Sequence, residues 1–167
     1  SLLEHAATLD DLTGLPNRLG LTRCLEQVKT SSDDCTLLFV DIDDFKRVND
    51  LHGHFVGDRV LATVSDRLRR AVRADDTVTR LHGDEFAVVL DGSTGGLTPD
   101  TVRRLAARVV NMLAEPVQID GLTLQVSASV GVAHLDGDRD VESLLGRADE
   151  AMYAAKRRGG SQVVMAA

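Results

Sequence analysis

The sequence predicts an α+β domain, with a mostly antiparallel sheet covered by helices. Apolar residues recur at helical spacing in several long segments, and these alternate with short β-branched runs. Two of those runs are separated only by His82-Gly83-Asp84, a hairpin signal that makes neighbouring strands antiparallel. With 167 residues, the chain is long enough for one core and one domain.

The elements follow in order. Residues 1–8 read as the tail of a helix, and the abrupt opening Ser1-Leu2-Leu3-Glu4 suggests a domain cut from a longer protein. Leu12 to Asn17 is a turn, with Pro16 suited to the first turn of a helix running to about Thr30. Thr36 to Ile42 is a short apolar run bounded by polar residues and charges, and predicts a buried strand. Val60, Leu61, Val64, Leu68, Ala71 and Val72 line one face of a long helix, with Arg67, Arg69 and Arg70 turned outward. Thr77–Leu81 and Glu85–Leu90 form the hairpin strands, and Gly92 to Thr98 is a loop. Pro99 opens a helix with Val102, Leu105, Ala106, Val109, Met112 and Leu113 inward. Residues from Leu122 to Val132 alternate strictly, predicting one strand with a single buried face. A last helix carries Val141 to Ala155 at core spacing and stops at Gly159-Gly160, and Gln162–Met165 adds an edge strand.

Composition narrows the function classes. Net charge is −7 and aromatic residues make up 3% of the chain, which argues against a protein that tracks a phosphate backbone or stacks bases. No nucleic-acid partner is expected, although a small phosphorylated ligand needs only a local positive site and a metal. Cys24 and Cys35 lie outside any metal-ligand spacing and read as reduced thiols, with Cys24 facing a core. No apolar run reaches the roughly 20 residues of a membrane span, and no leader is evident. A cytoplasmic module without membrane contact of its own is therefore expected, the full-length protein being free to carry an anchor.

Five places carry chemistry. Asp41 and Asp43 leave a buried strand on the same face, where carboxylates suit Mg²⁺ or simply solvate the strand end. His82-Gly83-Asp84-Glu85 brings two acids to a tight turn where Gly83 would let a phosphate approach the backbone, or is an ordinary polar tip. Lys46 follows the first strand and can hold phosphate, while Asn49 and Asp58 have the groups to read a guanine edge. Taken alone, those two are a turn Asn and a helix-cap Asp. Lys156 sits in a cationic helix end that also complements the helix dipole. Arg73-Ala74-Asp75-Asp76 is a charged loop.

Together the segments Asp10–Arg18, Asp41–Asp50, Gly53–Asp58, Arg80–Phe86 and Ala148–Lys156 resemble the GGDEF family in order and spacing across nearly the whole chain. The resemblance implies a fold similar to the class III nucleotidyl cyclase core. It implies a bacterial signalling enzyme, a diguanylate cyclase that condenses two GTP into cyclic di-GMP and pyrophosphate. Residues 1–9 would end an upstream signalling helix and 10–167 would be the catalytic domain. Asp41, Asp84 and the Ile42 carbonyl would hold Mg²⁺ or Mn²⁺, two ions per site being possible, and Glu85 would assist the metal or take the 3′-hydroxyl proton. Phe45, Lys46, Asn49, His54, Asp58, Gly83 and Lys156 would bind substrate. Two copies would meet face to face, and Arg73 with Asp76 would form an R-x-x-D site for inhibitory product. The stretches around Glu115-Pro116 and Ser127–Gly131 also look like domains that precede an EAL phosphodiesterase domain, and an N-terminal sensory domain is a further expected partner.

Two residues depart from the family pattern. His82 stands at the first glycine of the signature, where a need for positive φ would bring strain of about 1–3 kcal/mol. Gly160 stands where an arginine is usual, so Arg157 or Arg158 would have to replace a phosphate contact. These departures leave open a second reading, a weak or inactive module that binds GTP or cyclic di-GMP and regulates an attached domain.

Overall fold

The computed structural model describes residues 2–31, 34–135 and 140–167. In chain order the elements are α1 (Leu2–Ala7), α2 (Arg18–Ser31), β1 (Cys35–Ile42), α3 (Phe45–His52), α4 (His54–Ala71), β2 (Thr77–His82) and β3 (Glu85–Asp91). There follow α5 (Pro99–Leu113), β4 (Val117–Ile119), β5 (Leu122–Leu124), β6 (Ala128–His134), α6 (Val141–Arg157) and β7 (Val163–Met165). The central sheet runs β2-β3-β1-β6-β7, antiparallel except for the β6–β7 pair, and β4-β5 forms a separate hairpin. The predicted α+β class is the observed one.

β1 sits in the middle because every residue of it is buried. Leu38, Val40 and Ile42 face one cluster with Val60, Val64, Leu68, Ala106 and Val109 of α4 and α5. Leu37 and Phe39 face a second cluster with Leu21 and Leu25 of α2 and Leu144, Ala148 and Met152 of α6. Helices thus cover both faces, and the last residues of β1 emerge at one end of the sheet. α6 comes closest at Gly131 of β6, where a methyl group would collide with the Ala148 carbonyl and the Met152 amide.

Several expectations are corrected. Pro16 lies outside α2, bridging to Leu9, and Asn17 caps the helix instead, its Oδ1 accepting from Gly20 N at 3.1 Å. The alternating run 122–132 is two elements, β5 and β6, separated by residues 125–127. β6 is buried on both faces up to His134, because α6 covers one side and α5 the other. Phe45–His52 is a helix that the sequence reading did not assign, as β4 is a strand it missed. Asn49 is therefore helical, not in a turn, and Asp58 lies inside α4, whose N-cap is Gly53. Arg67 points inward, not outward: it is buried and donates to the carbonyls of Met112, Glu115 and Pro116 at the end of α5. Cys35 is fully buried and Cys24 half-buried, and neither is bonded to sulfur.

Candidate active site at the carboxyl end of the first strand

The register of the sheet brings the two acid-bearing segments together. Asp41 pairs with Glu85 across β1 and β3, and the Ile42 amide donates to the Asp84 carbonyl at 3.2 Å. Asp84 therefore lies beside Asp41. Burial first, and then the neighbouring Asp84 carboxyl, push Asp41 up to about 7. Lys156, reaching in from the last turn of α6, opposes that shift. Its Nζ lies 3.3 Å from Asp41 Oδ1 and 3.5 Å from Asp43 Oδ1, and donates to the Ile42 carbonyl at 3.3 Å.

Asp41 Oδ1 is buried, and among the described residues it meets the Lys156 ammonium at 3.3 Å without hydrogen-bond geometry. A buried carboxyl beside a second carboxyl and a backbone carbonyl is a donor set of hard oxygens, which fits Mg²⁺ or Mn²⁺. Among the described residues, no three acids, histidines or cysteines are grouped so that their side chains alone could hold a metal ion. A two-carboxylate set suits an ion that keeps water and phosphate oxygens in its remaining positions.

Asp43 does something different from Asp41. It accepts from Ser127 Oγ and Ser129 Oγ at 2.7 Å each and from Ser161 N at 2.9 Å. Burial works against its charge, but these donors and Lys156 outweigh burial and hold its carboxyl below the usual value. Asp43 thus ties the ends of β1, β6 and α6 into one knot. Nothing in its strand position alone indicated this, because the serines lie more than eighty residues away.

The signature turn is unstrained at its variant position. Gly83 takes the left-handed conformation at φ 53°, while His82 is the last residue of β2 and pairs with Glu85. The anticipated strain is absent, since φ is not positive at His82. Its ring is exposed, with Nε2 3.4 Å from Glu85 Oε2. Burial raises the Glu85 carboxyl, with His82 opposing and Asp149 and Asp84 adding to the rise.

The remaining candidates line the α3–α4 elbow. Lys46 is exposed in the first turn of α3, and His54 and Asp58 are exposed on α4. Gly57 leaves room for the Asn49 amide, which any side chain at 57 would strike. Phe45 is a core residue packed toward Gly57, so its ring seats α3 on α4. Gly160 has φ 73°, and a methyl group there would lie 2.8 Å from Asp43 Oδ2. Both facts disfavour the usual arginine. Arg157 stacks 4.8 Å over Tyr153, and Arg158 is the C-cap of α6.

Arg73 and Asp76 are brought together, but on each other. Asp76 accepts from Arg73 N at 2.9 Å, from Nε at 3.2 Å and, through its second oxygen, from Nη2 at 3.2 Å. The Asp76 side chain is fully buried, and Arg73 Nη2 also donates to the Asp91 carbonyl. A cavity of about 330 Å³ opens beside the pair, lined by Arg69, Val72 and Pro16 among others.

Arg80 and Asp10 are contacts that the sequence reading missed. Arg80 Nη1 lies 2.9 and 3.1 Å from the two Asp10 oxygens, while its Nη2 and Nε donate to the Gly83 carbonyl at 2.9 and 3.1 Å. Both residues were visible within the family-like stretches, but only the fold brings them into contact.

Fold and site together define an α+β domain, a helix-covered and mostly antiparallel sheet with paired acids at the end of its central strand. The family model described as "Diguanylate cyclase, GGDEF domain" matches residues 7–162, and the chain belongs to that family. It is 41% identical over 162 residues to the bifunctional diguanylate cyclase/cyclic di-GMP phosphodiesterase MucR of Pseudomonas aeruginosa, covering 94% of this chain and 23% of MucR. It is 37% identical over 167 residues to the diguanylate cyclase DgcP of the same organism, covering 98% of this chain and 24% of DgcP. The chain therefore spans about a quarter of the length of these curated relatives. Among solved structures, diguanylate cyclase SiaD of Pseudomonas aeruginosa in complex with its activator SiaC superposes with TM-score 0.89 at 32% identity, over 99% of this chain and 64% of SiaD. The coiled coil and GGDEF domain of DgcB from Caulobacter crescentus, in complex with c-di-GMP, superposes with TM-score 0.89 at 25% identity, over 99% of this chain and 88% of that one.

Proposed function

We propose that this domain is a diguanylate cyclase joining two GTP molecules into cyclic di-GMP with release of two pyrophosphates. The observation that carries the reading is the buried Asp41 carboxyl, its Oδ1 met only by the Lys156 ammonium among the described residues, next to Asp84 and the Ile42 carbonyl. These three groups would hold Mg²⁺ or Mn²⁺, one or two ions per site, and the bound cation supplies charge neutralisation at the phosphates. Lys46 and Lys156 contact phosphate oxygens. The Asn49 amide and Asp58 carboxylate read the guanine edge from the elbow that Gly57 keeps open, with His54 and Gly83 at the rim of the site. Glu85, its carboxyl raised by burial, accepts the proton of the attacking 3′-hydroxyl. Each 3′-oxygen forms a bond to the α-phosphorus of the other GTP as the bond to pyrophosphate breaks, so two copies of the domain must face each other.

Product feedback at Arg73 and Asp76 belongs to the same reading, and the complex of the DgcB relative with c-di-GMP supports product binding as such. In the present arrangement the Arg73 fork is closed on Asp76, so product must open that pair or use the third of the Arg73 side chain that is exposed. The MucR name supports a phosphodiesterase domain elsewhere in the full-length protein, and the SiaD complex supports a regulatory protein partner. None of the described helices is long and apolar enough to cross a membrane.

The test is incubation of the purified domain with GTP and Mg²⁺, and with Mn²⁺ in parallel, scoring cyclic di-GMP and pyrophosphate by mass spectrometry. Product is expected, and Asp84→Ala is expected to abolish it. One observation favours a second reading, in which the domain binds nucleotide and regulates an attached domain. Gly160 cannot supply the usual arginine, and Arg157 is engaged by Tyr153. Bound GTP without product at high domain concentration would select that reading.

A further inference from the structure

The turn after α6 leaves the site short of a cation, and a residue of α3 is placed to supply it. Gly160 carries no side chain, and its positive φ and the Asp43 carboxylate beside it both oppose one. Lys156 is shared between Asp41 and Asp43, so its charge is already answered inside the protein. Arg157 stacks on Tyr153. We infer that Arg47 binds the terminal phosphate of GTP, taking from α3 the place that an arginine at position 160 would fill.

A cavity of about 400 Å³ lies between α3 and the segment that joins β5 to β6. Asp43, Asp44, Ser127 and Ser161 line its polar part, and Arg47 lines it from the helix. The cavity therefore reaches from Arg47 to the residue directly after Gly160. Val48 and Leu124 belong to its apolar lining. The aliphatic stem of an arginine can lie along such a wall while its head stays at the polar end.

The place of Arg47 in the helix directs it the same way. Helical side chains tilt toward the N-terminus, and Arg47 is the third residue of α3. Its guanidinium is thus carried toward the start of the helix. There Asp44, at φ 50°, makes no side-chain cap, which leaves the first amides of α3 to an anion. Arg47 is exposed, and among the described residues its side chain donates to no acceptor and pairs with no acid. Asp43, in the same cavity, does not draw it away, being held by Ser127, Ser129, Ser161 and Lys156. The order β3-β1-β6 accounts for the choice of phosphate. Asp84 lies on the β3 side of β1 and the cavity on the β6 side, so a triphosphate with its α-phosphorus at the acids runs toward Arg47 with its far end. A planar guanidinium can meet two oxygens of that terminal group at once.

The assignment rests on GTP binding as the cyclase reading has it, and the test separates the two. Binding of 3′-deoxyguanosine triphosphate, which lacks the attacking hydroxyl and is not consumed, is compared with that of the corresponding diphosphate, both with Mg²⁺. Arg47→Ala should weaken triphosphate binding by about tenfold, the scale of one charge-assisted contact, with diphosphate binding held within about twofold. Arg157→Ala and Arg158→Ala should each bind the triphosphate within about twofold of the wild-type protein. Unchanged triphosphate affinity in Arg47→Ala would overturn the inference. So would equal losses for the two nucleotides, since Arg47 would then not act on the terminal phosphate, or a loss as large in Arg157→Ala or Arg158→Ala. A wild-type protein that binds no triphosphate would overturn it as well. If the wild-type protein binds the triphosphate but makes no cyclic di-GMP from GTP, the cyclase reading fails, and the same comparison of affinities still decides the role of Arg47.

Discussion

At the scale of single residues, charge at this site is governed by who donates to it. Burial works against the Asp10 carboxylate, but donors from Thr13 and Arg80 outweigh it and hold the carboxyl below its usual value. A carboxyl lowered in the folded state contributes stability that is present above its unfolded value, about 3.9, and lost as pH falls through the folded value. Asp10→Asn should therefore be less stable near neutrality and should lose stability less steeply below pH of about 4, as read by urea unfolding across pH. His82 shows the opposite case, a residue that looked strained and is not. Its extended backbone means that His82→Gly should lower stability by about 0.5–1 kcal/mol, measured by thermal unfolding, because glycine gains more freedom in the unfolded chain. Gly160→Arg should destabilise by about 1–3 kcal/mol, since positive φ and the Asp43 carboxylate both oppose a side chain there. A single reversion toward the family residue is thus expected to lower the melting temperature. These local facts were not legible beforehand. A sequence names the residue at position 82 or 160, while the sign of φ depends on which neighbour in the turn takes the left-handed conformation.

Between elements, the site depends on how closely α6 lies on the sheet. Gly131 is the contact point, and Gly131→Ala should cost about 1–3 kcal/mol by forcing the helix away from β6. The same displacement carries Lys156 off the Ile42 carbonyl, so a variant that still folds should also lose phosphate affinity, checked by GTP titration. Legibility at this scale was uneven. Cys35–Ile42 was readable within a residue because its middle, Leu37–Val40, is apolar and it is bounded by charges. The run 122–132 was misread because a hairpin strand and a core strand happen to share one alternating phase. What separates them is the segment whose Ser127 turns to donate to Asp43, a contact with no signal at period two. α3 escaped notice because it is short and, apart from Phe45, little buried.

Across the whole molecule, burial and the neighbouring Asp84 disfavour the charged Asp41, and Lys156 offsets this in part, so on the proposed reading a divalent cation there would add stability. Mg²⁺ or Mn²⁺ at about 100 times its dissociation constant should stabilise the domain by about 2.7 kcal/mol. The measurement is a thermal shift, and the gain should vanish in Asp84→Asn. Here the family-like segments served well, because the candidate acids come from strand ends that a sheet must bring into register. The knot around Asp43 has a further consequence for synthesis of the chain. Asp41 and Asp84 leave the ribosome long before Lys156 and Ser161, so a half-made domain holds two repelling carboxyls with no ammonium to screen them and no amide to fix their neighbour. Assembly of the pocket is thereby deferred to the final helix and the turn after it, and a nascent chain paused upstream of α6 is expected to be inert toward nucleotide.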